Sequence, residues 1–412
     1  MQRCDAVVVG AGPAGAVTAL CLARAGARVA LVDKRRFPRD KACGDLIGPR
    51  GVRLLADLGL ALPGARRAGD MIVIAPNGSR ALLPALPGVD YAGHALAITR
   101  QRFDATLVDA ALAAGAAMIH ERVVGLDGNR VHLAGGDHLT GDVIVGADGA
   151  MSQIAEAAGL VDDRHTLWGF ALRSYVDTLV ELPYIMLWEP RRWQLFPGYG
   201  WVFPTADGGA NVGLGLAVGA HRQDARRASE YFGEFLRHAA HEGLLPIGGG
   251  GDRLGGWLKM GAVGTVPARG NVLLVGDAAG LINPLQGEGI AQAMASGRAA
   301  AAAIVAGPAA AAERYRAALW AMTGHQRVNA PVQVGMIAHP WAVSLVARML
   351  TAPVVRSAVA GAWSLYWNDL VSGAVPSRHR TIAESAGRLV AVTTRGRGNN
   401  RPDQPARHTA GG

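Results

Sequence analysis

Residues 6–33, AVVVGAGPAGAVTALCLARAGARVALVD, decide the fold of this chain. Their first four residues are apolar and predict a buried strand, which runs directly into a glycine-rich turn. A helical pattern follows, and Gly26 ends it. The next apolar run, Val29–Val32, predicts a second strand that ends at Asp33. The stretch therefore predicts a βαβ unit with parallel strands, the opening unit of an α/β fold.

The turn in this unit, residues 10–15, has the pattern G-x-G-x-x-G. In a βαβ unit, Gly10 would make the tight turn, Gly12 would let the backbone approach a pyrophosphate, and Gly15 would let the helix pack close to the strand. Asp33 stands where it could accept hydrogen bonds from a ribose. The pattern predicts a dinucleotide site, but it does not by itself distinguish FAD from NAD.

A second strand–turn–helix pattern, NVLLVGDAAGLINPLQGEGIAQAMASGRAA, occupies residues 271–300. Its apolar run predicts a buried strand, after which Asp277 stands where α/β sheets bind ligands. Gly287 and Gly289 open an alanine-rich helix whose free N–H groups and dipole favour negative charge at that end. Residues 143–149, VIVGADG, predict a third strand that ends at Asp148 in the same manner.

Between these patterns the sequence is typical of a β-sheet. Asn77-Gly78 predicts a hairpin within residues 71–86, and residues 167–216 alternate apolar and polar side chains. The period of two places Tyr199, Trp201 and Phe203 on one face of a strand. This face is either an ordinary aromatic core or a sheet surface that contacts a ligand.

Composition excludes several classes of protein. Half of the 412 residues are hydrophobic and 18% are charged, as in a globular protein, and part of the net charge of +9 comes from an arginine-rich end. Three cysteines give no disulfide framework, so we expect a cytoplasmic protein. No apolar run reaches the roughly 20 residues of a membrane-spanning helix. No metal cluster or nucleic-acid module is visible, so we expect no metal and no nucleic-acid partner.

The three motifs that contain Asp33, Asp148 and Asp277 together resemble the flavoprotein superfamily of aromatic hydroxylases, flavin halogenases and geranylgeranyl reductases. KACGD at residues 41–45, RQRFD from Arg100, and YGWVFP at residues 199–204 followed by NVGLG are most similar to the geranylgeranyl reductase family. That family has a Tyr-x-Trp-x-Phe-Pro signature, which this chain matches in full.

Two departures separate the chain from the other branches. Aromatic hydroxylases commonly have a histidine where Gly280 stands. Halogenases carry Trp-x-Trp-x-Ile-Pro, in which Tyr199 replaces the first tryptophan and Phe203 the isoleucine. The comparison therefore favours the reductase branch.

The resemblance implies non-covalently bound FAD. The implied cofactor contacts are Gly10, Gly12, Ala14, Gly15, Asp33, Lys34, Cys43, Gly44, Arg100, Val123, Asp148, Asp277, Gly287, Gly289 and Ile290. It also implies an α/β fold with a Rossmann-like FAD-binding domain of the glutathione-reductase type, formed by residues 1–70, 92–160 and 258–330. Residues 71–91 and 161–257 would form an inserted antiparallel β-sheet substrate domain. Residues 331–390 would form C-terminal helices, and residues 391–412 a disordered basic tail.

The implied activity is reduction of carbon–carbon double bonds in a prenyl chain or lipid, with electrons from NADPH, ferredoxin or a similar donor protein. The candidate catalytic residues are Cys43, Tyr199 and Trp201, and the proton could come from Cys43, Tyr199 or water. One alternative is a flavin monooxygenase or tailoring oxidoreductase that acts on an aromatic or polyketide-type metabolite. Another is a membrane-associated flavoprotein that passes electrons to quinones. The C-terminal helices would cap a hydrophobic substrate or make peripheral contact with a membrane.

Overall fold

The structure, a computed structural model, describes residues 3–76, 78–85, 93–187, 198–219, 226–284, 286–323 and 352. Its strands are β1 (Arg3–Val9), β2 (Val29–Val32), β3 (Leu46–Ile47), β4 (Arg66–Ala68), β5 (Met71–Ile74), β6 (Arg80–Leu83), β7 (Ala95–Ala97), β8 (Ala117–Ile119), β9 (Val123–Asp127), β10 (Arg130–Leu133), β11 (His138–Gly146), β12 (Leu167–Val176), β13 (Tyr184–Met186), β14 (Gly198–Pro204), β15 (Ala210–Gly219), β16 (Leu254–Met260), β17 (Ala268–Arg269) and β18 (Val272–Leu274). Its α-helices are α1 (Pro13–Arg24), α2 (Pro49–Asp57), α3 (Arg100–Ala113), α4 (Gln153–Ala157), α5 (Ala228–His241), α6 (Ile290–Val305) and α7 (Ala311–Met322).

The first apolar run of the chain forms the centre of an eight-stranded sheet. Strand β1 pairs in parallel with β2 on one side and with β11 on the other, and β11 pairs in parallel with β18. Ala6, Val7 and Val8 are fully buried, as expected for a parallel strand that is covered on both faces. The predicted βαβ unit and the mixed α/β fold are confirmed.

Helices α1 and α6 pack closely because small residues line their contact. A Cβ atom added at Gly297 would lie only 2.4 Å from the carbonyl oxygen of Ala14, and one at Gly276 would lie 2.9 Å from the Ala14 Cβ. Gly297 therefore allows the middle of α6 to lie against the first turn of α1, and Gly276, which precedes α6 in the chain, packs on the same turn.

A second sheet of seven strands has the order β16-β12-β15-β14-β13-β5-β6. One face is covered by α5, and a Cβ atom at Gly200 would lie 2.0 Å from the Phe235 ring of that helix. The opposite face carries Trp201 and Phe203, with Tyr199 packed beside them. The predicted placement of these three aromatic side chains on one face is confirmed. A smaller sheet has the order β3-β7-β4.

Two features of the second sheet differ from the sequence-based expectation. Strand β16 pairs with β12, so residues 258–260, which we assigned to the first domain, extend the second sheet. Gly255 and Gly256 interrupt its alternation, so the sequence gives no clear strand signal there. Helix α5 was not predicted. The division into domains stays a prediction.

Some predictions fall outside the described residues. These include Asn77 of the predicted hairpin, although β5 and β6 on either side of it pair antiparallel. The predicted C-terminal helices and basic tail also lie there, apart from residue 352. Within the ranges that are described, no helix has both the length and the apolar composition needed to cross a membrane.

The contact between α1 and α6 yields a stability prediction. We expect Gly297→Ala to lower the free energy of unfolding by about 1–3 kcal/mol, because its methyl group would collide with the Ala14 carbonyl. Gly233→Ala in α5 is the matched control, since its Cβ would meet only the Arg237 side chain at 3.7 Å. That substitution should be neutral or stabilise by about 0.5–1 kcal/mol. Chemical denaturation measures both, and equal effects would contradict the prediction.

Candidate active site

The glycine-rich turn lies at the carboxyl ends of β1 and β2. Gly10 has φ +98°, and its N–H donates to the Val32 carbonyl at 2.7 Å. The Ala11 N–H donates to Asp33 Oδ2 at 2.8 Å, and the other oxygen of Asp33 accepts the Arg35 N–H at 2.8 Å. Asp33 therefore stabilises the turn. Its predicted contact with a ribose stays a prediction.

The same turn leaves hydrogen-bond donors at the start of α1. Gly12 is the N-cap residue, and no side chain caps the helix. A Cβ atom at Gly12 would lie 3.6 Å from the Arg39 guanidinium, whereas one at Gly15 would lie 1.8 Å from the Gly10 carbonyl oxygen. Gly15 thus gives the close helix–strand packing that we expected. Gly12 leaves room beside an arginine, which suits an anion.

A buried ion cluster lies next to this turn. Arg100 donates to both carboxylate oxygens of Asp104 at 2.8 and 2.7 Å, and Arg39 approaches the same carboxylate at 2.7 Å. Burial opposes the charge of Arg100, but Asp104 and the neighbouring Cys43 outweigh it and raise the pKa of the guanidinium. Two cations therefore share one carboxylate, and this leaves net positive charge beside the turn.

The second glycine-rich segment lies against the face of the second sheet that carries Tyr199, Trp201 and Phe203, which we call the aromatic face. Asp277 lies in a short 3-10 helix, Gly276–Ala279, and pairs with Lys41 at 3.1 Å. A Cβ atom at Gly289, the uncapped N-cap of α6, would lie 3.6 Å from Asp277 Oδ1. Gly287 has φ +65°, and a Cβ atom added to it would lie 2.6 Å from the Tyr199 hydroxyl. The Tyr199 hydroxyl donates to the Gln286 carbonyl.

Asn211 joins the aromatic face to the KACGD loop, residues 41–45. Its Oδ1 accepts the Trp201 indole N–H at 2.9 Å. Its Nδ2 donates to the Cys43 carbonyl and to Asp45 Oδ2, both at 2.9 Å. A Cβ atom at Gly44 would lie 3.0 Å from the Phe203 ring, so the loop packs directly on the sheet.

The NVGLG motif has a steric role at this contact. A Cβ atom at Gly213 would lie 1.9 Å from the Trp201 ring. The indole therefore occupies the space of the missing side chain, and the first glycine of the motif determines where Trp201 can lie.

Asp45 belongs to the KACGD motif but is not among the predicted site residues, and neither are Arg39 and Asn211. Asp45 adopts φ +58°, is only 2% exposed, and accepts hydrogen bonds at Oδ2 from the Tyr175 hydroxyl and Asn211. Its Oδ1 is buried and has no hydrogen-bond partner in the described part of the chain. Burial raises the pKa of Asp45 to about 6, although Tyr175, Asn211 and Arg173 oppose this shift. The only sequence signal was an aspartate directly after Gly44 of the loop.

Other predicted residues have different surroundings. Asp148 accepts the N–H groups of Gln153 at 2.7 Å and Ile154 at 3.2 Å, so its carboxylate stabilises the start of α4. Val123 is buried in the hydrophobic core, whereas Lys34 is exposed. Their cofactor contacts stay predictions. In the described ranges, no group of three or more His, Cys, Asp or Glu side chains is arranged to hold a metal ion.

Comparison with known proteins assigns the family. Residues 3–172 match the model of an FAD binding domain. The menaquinone reductase of Mycolicibacterium smegmatis is 35% identical over 345 residues, which cover 74% of this chain and 77% of that protein. The digeranylgeranylglycerophospholipid reductase of Methanococcus vannielii is 31% identical over 313 residues, or 71% of this chain and 74% of that protein. The chain belongs to the geranylgeranyl reductase family.

Solved structures of the wider superfamily share the fold of this geranylgeranyl reductase family member. A geranylgeranyl bacteriochlorophyll reductase-like protein from Thermoplasma acidophilum has a TM-score of 0.66 and 21% identity, with 87% of this chain and 98% of that one covered. The flavin-dependent brominase Bmp2 has a TM-score of 0.69 and 18% identity, with 94% and 100% covered. These similarities concern the fold alone.

The residues present fit FAD, as expected for an FAD-dependent oxidoreductase of this family. The starts of α1 and α6 carry no side-chain cap, so their N–H groups can meet a pyrophosphate and an anionic ring. Arg39 and Arg100 add positive charge beside the start of α1. Gly12 leaves space for close approach of the cofactor.

The contact between Gly213 and Trp201 yields a second prediction. We expect Gly213→Ala to displace the indole, weaken the hydrogen bonds through Asn211, and raise the Kd for FAD roughly tenfold, which corresponds to about 1.4 kcal/mol. Gly215→Ala on the same strand is the matched control, because its Cβ would lie 3.8 Å from the Trp201 ring, an ordinary contact. Flavin fluorescence titration measures both affinities. Unchanged FAD affinity in Gly213→Ala would contradict the prediction.

The pKa of Asp45 predicts a pH-dependent stability. The pKa of Asp45 is about 6 in the folded state and about 4, the usual aspartate value, in the unfolded chain. Between these two pH values the folded state therefore holds a proton that the unfolded chain lacks. This contribution to stability is present at low pH and is lost as the pH rises through 6, by up to about 3 kcal/mol. Asp45→Asn removes this pH-dependent contribution, so the Tm of the variant minus the Tm of the wild type should become larger between pH 5 and pH 8. A difference that is constant with pH would refute this assignment.

Proposed function

We propose that this protein reduces carbon–carbon double bonds in the prenyl chain of a lipid, with FAD as the hydride carrier. The observation that carries the proposal is the common part of the two compounds for which its relatives are named. Menaquinone is a quinone with a prenyl side chain, and digeranylgeranylglycerophospholipid is a lipid with two geranylgeranyl chains. Their common part is the prenyl chain, so a shared site is best explained by chemistry on that chain.

The aromatic face supports an apolar substrate. The ring centroids of Tyr199 and Trp201 are 6.1 Å apart, and those of Trp201 and Phe203 are 6.2 Å apart and stacked. Tyr199 connects this surface to the start of α6. We propose that the face orients a double bond beside the cofactor and excludes water, which is the main contribution a protein makes to such a reaction.

The remaining residues would hold the cofactor. We propose that Gly10, Gly12, Arg39 and Arg100 bind the pyrophosphate side, and that Asp277 and Gly289 bind the ribityl side. FAD bound and reduced there would supply the hydride to one alkene carbon, and an acid of the protein would supply the proton to the other. We also propose that NADPH or ferredoxin is the electron donor. The proposal includes an FAD-binding domain of the glutathione-reductase type and peripheral contact with a membrane.

One structural feature disfavours the monooxygenase alternative. Gly280 has φ +71°, and a Cβ atom there would already lie 3.4 Å from the Lys259 side chain. Hydroxylases commonly carry a histidine at this position, and residues with a side chain adopt such a positive φ only rarely. Electron transfer to a quinone ring is the second candidate, because one relative is named a menaquinone reductase.

One anaerobic experiment separates these functions. Photoreduced enzyme is incubated with menaquinone, with a geranylgeranyl lipid that lacks a quinone, and with a naphthoquinone that lacks a prenyl chain. We expect both prenyl compounds to gain two hydrogens by mass spectrometry and to keep them after exposure to air. A reduced quinone ring reoxidises in air, whereas a saturated chain does not. Enzyme with oxidised FAD is the control.

The other outcomes would overturn the proposal. Reversible reduction of both quinones, with the geranylgeranyl lipid unchanged, would favour electron transfer to the ring. Oxygen-dependent mass gain on an aromatic compound would favour a monooxygenase.

A further inference from the structure

We propose that Asp45 is the acid of this site and that its Oδ1 carries the proton that completes reduction of the double bond. The inference rests on the proposed function. It names a residue in place of the open choice among Cys43, Tyr199 and water.

The hydrogen bonds of Asp45 determine where its proton must lie. Tyr175 and Asn211 both donate to Oδ2, so that oxygen is occupied by two donors. Oδ1 is buried without a partner in the described part of the chain, and it is therefore the oxygen available to hold a transferable proton. The two donors at Oδ2 fix the orientation of this carboxyl, and a general acid must be held in a fixed orientation toward the group it protonates.

Asp45 also belongs to the loop that packs on the aromatic face. Its N–H lies 3.4 Å from the Cys43 sulfur, and Asn211 bonds both to Asp45 and to the Cys43 carbonyl. The residue between them, Gly44, packs against Phe203 and Trp201. The acid therefore belongs to the loop that contacts the aromatic face.

The charged and titratable groups around Asp45 come from three elements. Tyr175 and Arg173 are on β12, Arg100 is on α3, and Cys43 is on its own loop. Burial favours the protonated carboxyl, and the two arginines favour the carboxylate. The result is an acid whose pKa of about 6 is near the operating range of most enzymes. The Tyr199 hydroxyl and the Cys43 thiol, in contrast, both have their pKa raised by burial, which makes them weaker acids.

The step balances in atoms and electrons. The π bond breaks as one carbon receives the hydride from reduced FAD and the other receives the proton of Asp45, and two C–H bonds form. Asp45 is left as a carboxylate. A proton from solvent must return to Asp45 before the next turnover.

Two variants test the inference. Asp45→Asn keeps an oxygen acceptor for Tyr175 and Asn211, and asparagine tolerates the positive φ of this position. Tyr175→Phe removes one donor to the carboxylate, so it should raise the pKa of Asp45. Asp142→Asn, an exposed carboxylate paired with Arg3, is the surface control.

The first readout needs no substrate. Infrared difference spectra of the FAD-loaded protein should show the C=O band of a protonated carboxyl that disappears as the pH rises through about 6. The band should be absent in Asp45→Asn and should persist to higher pH in Tyr175→Phe. A band unaffected by Asp45→Asn would overturn the inference.

The second readout is the single-turnover reduction of a prenyl lipid against pH. The wild-type rate should fall as the pH rises through the pKa of Asp45. In Tyr175→Phe this fall should shift to higher pH by as much as the infrared band does. Asp45→Asn should be at least roughly 100-fold slower, with FAD affinity unchanged. The inference would be overturned if Asp45→Asn reacted as fast as the wild type, or if the rate of Tyr175→Phe fell at the same pH as that of the wild type. Either result would leave the proposed function intact. If the wild type reduces no prenyl lipid, both fail.

Discussion

A single buried amide, that of Asn211, connects the two parts of the site. It accepts the indole N–H of Trp201 and donates to the Cys43 carbonyl and to Asp45. Buried polar groups that lose such partners cost about 1–3 kcal/mol each, so three other groups depend on this one side chain. The position of the loop on the aromatic face, and with it the orientation of the Asp45 carboxyl, follows from these bonds.

Close backbone packing provides the complementary constraint on the cofactor side. The contacts of Gly297 and Gly276 with Ala14 fix α6 and the 3-10 helix before it against α1, and the contact of Gly15 with the Gly10 carbonyl fixes α1 against β1. Two helix N-termini are thereby held toward one region without any side-chain cap. Hydrogen bonds through Asn211 and the fit of Trp201 over Gly213 position the aromatic face, whereas close glycine packing positions helices α1 and α6.

The sequence predicted the features that depend on local patterns. The βαβ unit follows from short apolar runs and glycines, and the shared face of Tyr199, Trp201 and Phe203 follows from the period of a strand. Asp45 escaped prediction because its properties arise from burial and from Asn211, which lies 166 residues away in the chain. Strand β16 escaped because its pairing with β12, rather than its own pattern, makes it a strand.

The order of strands in the first sheet has a consequence for synthesis of the chain. Strand β11 has β1 beside it and β18 on its other edge, yet β18 follows all seven strands of the second sheet in the chain. During translation the edge of β11 at residues 144–146 stays unpaired until residue 274 has emerged, and exposed strand edges of this kind promote association between chains. The nascent protein therefore holds an incomplete first sheet while its second sheet is made.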